Sequence, residues 1–287
     1  MKPVVHPLHH ADTGTWSYVV ADPGTGVAAL IDPVLDFDAK AAATSTGSAQ
    51  QLLDIVAHHA YDVRWLLETH AHADHLSAAQ WLKERLPNAT LAIGAGIRQV
   101  QQTFASRLDP RGGIATDGSQ FDHLFDEGES FALGGLQAST IPVPGHTRDS
   151  IAYLIGDALF TGDSLFMPDA GTARCDFPGG DAAMLYRSIR RLYELPGTTR
   201  VFVCHDYGPG GRAPACETTI GEQKHSNIHV HEGIDEAAFV TLRQARDATL
   251  DMPTLILPSL QVNLRGGALP EPEGNGVRYL LLPLNEL

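Results

Sequence analysis

Four short motifs concentrate the residues that could do chemistry. Thr69-His70-Ala71-His72-Ala73-Asp74-His75 packs three imidazoles and a carboxylate into one stretch. Pro144-Gly145-His146-Thr147, Phe160-Thr161-Gly162-Asp163 and Cys204-His205-Asp206-Tyr207 follow it along the chain. Neutral imidazole and carboxylate oxygen together suit Zn, Fe or Mn, whereas a calcium or magnesium site would be dominated by oxygen. With 14 histidines in 287 residues, a His-x-His-x-Asp-His pattern arises by chance in on the order of one such chain in several hundred. Each motif stands where a strand is predicted to end. Loops at strand ends can aim several ligands at one point, because rigid strands fix where the loops begin.

The positioning elements are read from periodicity and turn signals. Thr15–Val20 and Val27–Ile31 are predicted strands joined by the hairpin turn Asp22-Pro23-Gly24-Thr25-Gly26. Residues 36–48 are small, polar and aperiodic, which predicts a surface insertion. Leu52, Leu53, Val56 and Ala60 form a helical stripe, and the strand Val63–Glu68 delivers the first motif. A helix is predicted from near His75, with Leu76, Ala79 and Leu82 on one face. Residues 108–120 predict a loop, and Phe131–Ile141, Ile151–Ile155 and Ala158–Phe160 predict strands. Leu185, Ile189 and Leu192 mark a helix ended by Pro196-Gly197, and Val201–Val203 leads into Cys204-His205. The stretch 216–250 reads as helical, and the proline-bearing tail as extended segments over the core. With no repeat and no linker rich in Gly, Ser or Pro, residues 1–287 are expected to form a single α/β domain.

Composition mainly removes partners. Twenty Lys+Arg against 34 Asp+Glu give a formal charge of −14, which disfavours nucleic acid and anionic membrane as general partners. No run approaches the ~18 apolar residues of a membrane-spanning helix. Met1–His6 carries no secretory signature, and Cys175, Cys204 and Cys216 are odd in number without a CxxC spacing. A reducing, cytoplasmic setting is expected.

The four motifs together resemble the metallo-β-lactamase superfamily over about residues 5–210. That resemblance implies an αββα four-layer sandwich with a metal site at one edge, followed by a C-terminal helical and extended segment over about 211–287. LIDPVLDFD at 30–38 and GTARCDFPGG at 171–180 resemble the persulfide dioxygenase (ethylmalonic-encephalopathy protein) branch. TSTGSA and LILPSLQVN resemble its bacterial members with a longer C-terminus.

Seven residues are potential ligands: His70, His72, Asp74, His75, His146, Asp163 and His205. In a dinuclear hydrolase resembling glyoxalase II, His70, His72 and His146 would hold one zinc. Asp74, His75 and His205 would hold the other, with Asp163 bridging. The dioxygenase branch implies instead one Fe(II) on His70, His146 and Asp163, with positions open for a persulfide sulfur and O2. His72, Asp74, His75 and His205 would then orient ligands, with Asp74 and His205 as the catalytic candidates that move protons. The branch further implies that Arg174 and Tyr207 bind the glutathione part of the substrate, and Thr147 is a candidate to add a hydrogen bond. The reaction would convert glutathione persulfide and O2 to sulfite and glutathione, in sulfide detoxification.

The alternative expectation is zinc-dependent cleavage of a glutathione thioester. A non-enzymatic metal-binding module is disfavoured by the completeness of the ligand set. A homodimer is expected by analogy only. Outside the motifs, His9, His10, His58, His59, His229 and His231 are expected to be solvated or satisfied in the core. His225 is a candidate pocket residue. Cys175 is expected to pack beneath the site, since no resolving cysteine is near.

Overall fold

Alternating runs of β-branched, aromatic and small apolar residues fold into strands that are buried on both faces, with amphipathic helices covering the outside. The computed structural model describes residues 2–285. The first half runs β1 (Val4–His10), β2 (Thr15–Ala21), β3 (Val27–Ile31), β4 (Val34–Asp38), β5 (Ala43–Ser45), α1 (Gly47–His59), β6 (Asp62–Leu67), β7 (Leu76–Ser77), α2 (Ala79–Arg85), β8 (Thr90–Gly94), α3 (Ile97–Leu108) and β9 (His123–Phe125). The second half runs β10 (Ser130–Leu133), β11 (Leu136–Pro142), β12 (Ile151–Ile155), β13 (Ala158–Phe160), α4 (Ala182–Leu192), β14 (Arg200–Phe202), β15 (Glu217–Thr219), α5 (Ile220–Ser226), α6 (Glu236–Asp247) and α7 (Ile256–Asn263).

Two six-stranded sheets, ordered β1-β2-β3-β6-β8-β9 and β10-β11-β12-β13-β14-β15, face each other. Tyr18, Val20, Ile31, Leu67 and Phe125 of the first meet Leu133, Ala138, Tyr153, Phe160 and Phe202 of the second. Outside the first sheet, Leu52, Leu82, Ile97, Phe104 and Leu260 bring α1, α2, α3 and α7 onto it. Outside the second, Leu185, Ile189, Ile220 and Phe239 do the same for α4, α5 and α6. The layers are therefore α, β, β, α, because each sheet has two apolar faces and needs a cover on both.

This order sets where the site lies. β11 and β12 pair antiparallel, β12 and β13 antiparallel, and β13 and β14 parallel. Hence β11, β13 and β14 run the same way, and the loops leaving their C-terminal ends emerge on one edge. Two buried tyrosines tie loops to the sandwich core. Tyr153 donates to the Glu68 carbonyl at 2.8 Å, at the entrance to the first motif. Tyr18 donates to the Val203 carbonyl, just before Cys204-His205.

Four expectations change. Residues 36–48 are not a structureless insertion: β4 pairs with β5, and Asp36 accepts from the Ser48 amide at 3.0 Å to start α1. Alternation over so few polar residues was too short to read. Phe131–Ile141 is a hairpin, not one strand, since β10 and β11 pair antiparallel around Gly134-Gly135. The helix expected from near His75 begins only at Ala79, because Leu76 and Ser77 pair with β4 instead. The tail is not wholly extended: α7 is buried among core residues despite Pro258, which stands in its first turn, where a proline is tolerated. Among the described residues, no helix is long and apolar enough to cross a membrane.

Candidate metal centre

β6 ends at Leu67; Glu68 still donates to the Ala92 carbonyl at 3.0 Å and Thr69 accepts the Ile151 amide at 2.9 Å, and the chain then turns through His70–His75 with no helix or strand. Its shape is set by a side chain from another strand end. Asp32, immediately after β3, holds φ +48°, a left-handed conformation that aspartate tolerates better than most residues. One carboxylate oxygen accepts the Thr69 amide at 2.8 Å and lies 3.0 Å from His72 Nε2; the other accepts the Thr69 hydroxyl at 2.9 Å. Asp149 then accepts the Ala71 amide at 2.7 Å. The imidazoles are thus turned by a frame of buried carboxylates. In the second sheet, Gly145 has φ +142°, and a Cβ there would lie 2.3 Å from the Leu185 amide nitrogen. Only glycine lets α4 pack this closely behind His146.

The motif residues converge. His146 uses its Nδ1–H on the Arg174 carbonyl at 2.7 Å, which leaves the Nε2 lone pair for the centre. That atom lies 3.6 Å from Asp163 Oδ2, and His70 Nε2 lies 3.9 Å from the same oxygen. These three residues form one ligand group with atoms within 4.8 Å of one another, and His72, Asp74, His75 and His205 form another. Asp163 touches both, since its Oδ1 is 3.4 Å from His205 Nε2. His72 therefore sits with the second group.

The electrostatics suit a cation. Burial, then the neighbouring imidazoles His72 and His146, hold the His70 pKa well below the usual range. Burial and His75 do the same for His72. Both rings are neutral, the form that binds metal. Burial works to raise the Asp74 pKa, but His205, His75 and His72 outweigh it and hold the carboxylate well below its ordinary range. Behind them, burial and then the Asp32 charge push the Glu68 carboxyl well above its ordinary range.

Whether these residues fit a metal is tested by their unmet polar atoms. His70 Nε2, His72 Nδ1, His75 Nε2, His205 Nε2 and Asp163 Oδ1 are buried without a hydrogen-bond partner. Such atoms are rare in folded proteins, and these five of the eleven among the described residues belong to the one cluster. A cation satisfies them together, and the nitrogen and carboxylate donors are of the type that binds zinc or iron.

A cavity of about 720 Å³ opens onto this centre through Asp74, His146 and Asp163. Its wall includes residues that sequence reasoning passed over. Arg243 of α6 is buried, donates to the Thr172 carbonyl at 3.0 Å and pairs with Asp247 at 2.7 Å. Asp247 in turn accepts the Cys175 amide at 2.9 Å. The signal was present as an Arg-x-x-x-Asp spacing on a helix. His229 accepts the Thr172 amide at 3.0 Å. Burial and then Arg243 push its pKa down to about 4, so it stands neutral in the wall.

The expected substrate residues divide. Tyr207 lines the cavity, is 65 % exposed, and stacks parallel to the His205 ring at 6.1 Å. Arg174 lines it too, but its guanidinium grips Asp176 at 2.6 and 2.7 Å and the Asp251 carbonyl at 2.6 Å. Thr147 is not on this wall; its hydroxyl lies 2.6 Å from that of Ser150. His225 is exposed and also off the wall. Cys175 is buried in the core beside α4, and burial pushes its thiol far up, as expected of a packing residue.

Two facing sheets with a histidine–carboxylate cluster at one edge define a metal-dependent enzyme of the αββα class. The chain belongs to the metallo-β-lactamase superfamily, which residues 11–205 match. It is 52% identical over 285 residues to a probable metallo-hydrolase of Burkholderia pseudomallei, covering 96% of this chain and 97% of that one. It is 53% identical to a beta-lactamase hydrolase-like protein of Agrobacterium fabrum, covering 99% of this chain but only 66% of that protein. The mitochondrial persulfide dioxygenase ETHE1 of Homo sapiens is 31% identical over 196 residues, 67% of this chain and 64% of that protein. Among solved structures, ETHE1 from Myxococcus xanthus superposes with a TM-score of 0.74 at 31% identity, covering 92% of this chain and all of that one.

Proposed function

We propose that this chain is a mononuclear non-haem iron persulfide dioxygenase that converts glutathione persulfide, O2 and water to sulfite, glutathione and two protons. The observation that carries this reading is the grouping of His70, His146 and Asp163 as two imidazoles and one carboxylate, apart from the group that contains His72. The likeness to ETHE1 in sequence and in solved structure supports it. A ferrous ion on those three residues would supply open positions at which a persulfide sulfur and O2 are brought together. The protein's own part is to position and to manage protons. The Thr69 hydroxyl, 3.1 Å from His70 Nδ1, and the Arg174 carbonyl, 2.7 Å from His146 Nδ1, hold the two ligand rings in place. His205 would take the protons released, with the Asp74 carboxylate 3.2 Å from its Nε2 stabilising the imidazolium that forms.

A second reading has its own observation. His72, Asp74, His75 and His205 form a further ligand group, which favours a dinuclear zinc hydrolase of glutathione thioesters, and one relative is named a metallo-hydrolase. Metal content of protein purified without added metal or chelator separates the two, with oxygen uptake on glutathione persulfide and cleavage of S-lactoylglutathione measured beside it. About one iron per chain with oxygen consumption is the expected result. Two zinc ions with thioester cleavage and no oxygen uptake would overturn the dioxygenase reading.

Either substrate carries the glutathione carboxylates. Arg174 and Arg243 are already paired with Asp176 and Asp247, whereas Arg246 lines the cavity, is exposed and forms no ion pair among the described residues. Arg246 is therefore the cation free to receive a substrate carboxylate. Replacement of Arg246 by Met is expected to raise KM about 10-fold with kcat nearly unchanged, since a charge-assisted hydrogen bond is worth about 1.5–3 kcal/mol and exposure puts this one at the low end. Steady-state kinetics check it; an unchanged KM would remove Arg246 from the substrate site.

A further inference from the structure

We propose that Asn263, the last residue of α7, is a positioning residue that holds the metal-binding loop in its ligating shape, making the C-terminal segment a working part of the metal centre. The observation is one buried side chain bonded to two carbonyls of that loop and to one amide of β7, which follows it. Asn263 Nδ2 donates to the carbonyls of His72 and His75, each at 2.8 Å. Its Oδ1 accepts the Ser77 amide at 2.8 Å. The loop has no helical or sheet ladder between Thr69 and His75 to satisfy those carbonyls itself, and buried backbone groups require partners. The side chains of His72, Asp74 and His75 group with His205 at the centre, while Asn263 bonds the backbone that carries them.

The packing around it is close. Gly267, with φ +86°, lies against the junction of β7 and α2 that follows the loop, and a Cβ there would meet the Ser77 carbonyl at 3.0 Å and the Gln80 amide at 3.1 Å. Ile256, Leu260 and Val262 of α7 lie in the same apolar cluster as Leu76 and Leu82. An arrangement in which α7 stabilises the ligating form of the loop is reciprocal: metal binding must stabilise α7 by the same coupling. This inference needs only a metal at the centre and holds for iron or zinc, so it stands or falls separately from the reaction proposed above.

Cobalt(II) bound to the full chain is the probe, read by competition affinity and by its ligand-field absorption spectrum, with the thermal midpoint of the metal-free protein measured alongside. Asn263→Asp keeps an acceptor for the Ser77 amide and loses both donations. Leu260→Ala loosens the same helix without touching the loop's hydrogen bonds. Asn263→Asp is expected to weaken Co(II) by about 10–100-fold, the scale for groups that orient ligands, and to alter the spectrum. Leu260→Ala is expected to lower the midpoint with affinity within about threefold and an unchanged spectrum. Equal affinity and spectrum in Asn263→Asp, or the same loss in Leu260→Ala, would overturn the proposal. In the unmodified protein, Zn(II) is expected to slow amide hydrogen exchange in both 70–77 and 256–264. Unchanged exchange across 256–264 would overturn it as well, whether or not the variant folds.

Discussion

Asp163→Asn is expected to empty the proposed iron site and to abolish turnover. Asp163 is the only carboxylate in the group with His70 and His146, and its Oδ2 is the oxygen both imidazoles face, at 3.9 and 3.6 Å. The substitution keeps size and shape but removes the negative charge that offsets the cation. Groups that merely orient ligands cost about 10–100-fold in affinity when lost, so loss of this ligand should exceed about 100-fold. Retained metal per chain, measured after gel filtration, is the direct readout, and oxygen uptake should fall with it.

Asp74→Asn makes the comparison informative. Asp74 lies in the other group, so one metal per chain should survive this change if the site is mononuclear. A fall from two metals to one would favour the dinuclear hydrolase. Full metal retention by Asp163→Asn would refute the ligand assignment in either form.

The largest expected loss of stability lies away from the metal. Arg243→Ala should destabilise the fold by about 3–5 kcal/mol, the cost of leaving a buried charge without its partner. Arg243 is 1% exposed and Asp247 is 6% exposed, so water does little to screen the pair. The guanidinium bonds Asp247 through Nε at 2.9 Å and Nη2 at 2.7 Å, and reaches the Thr172 carbonyl at 3.0 Å. Asp247 Oδ2 still has the Cys175 amide after the change, but that neutral donor cannot replace a guanidinium that turns two N–H groups on Oδ1. The thermal midpoint should fall on the order of 10 °C. Arg243→Met combined with Asp247→Asn should recover part of the loss, because no buried charge remains. A midpoint within about 1 °C of the parent for Arg243→Ala would show that the pair is not what holds residues 172–175.

Much of the site was legible along the chain. The His-x-His-x-Asp-His motif and the three later motifs name the ligand candidates that the fold brings together, because each rides a loop leaving a strand end. The hairpin over 15–31 was equally plain from its turn residues. Asp32 was not recognised as a site residue, although it directly follows a buried strand. Nothing local says that its carboxylate reaches Thr69 and His72, which are 37 and 40 residues away. The helix α7 was hidden by Pro258, and its lack of a polar face removes the usual periodic signal.

By itself, then, the sequence determined which residue types can meet at the centre and the layered class that carries them. Those depend on short-range spacing and on alternation, both written in neighbouring residues. Only the tertiary structure decided how the candidate ligands group, with His70, His146 and Asp163 together, His72 with Asp74, His75 and His205, and Asp163 reaching His205 between them. It also decided that Arg174 is neutralised by Asp176 and that Asn263 supports a loop nearly two hundred residues earlier. Spacing in the chain limits which atoms can approach. Which partner each polar group takes is settled by desolvation, since a buried donor or acceptor must bond to whatever the fold packs against it.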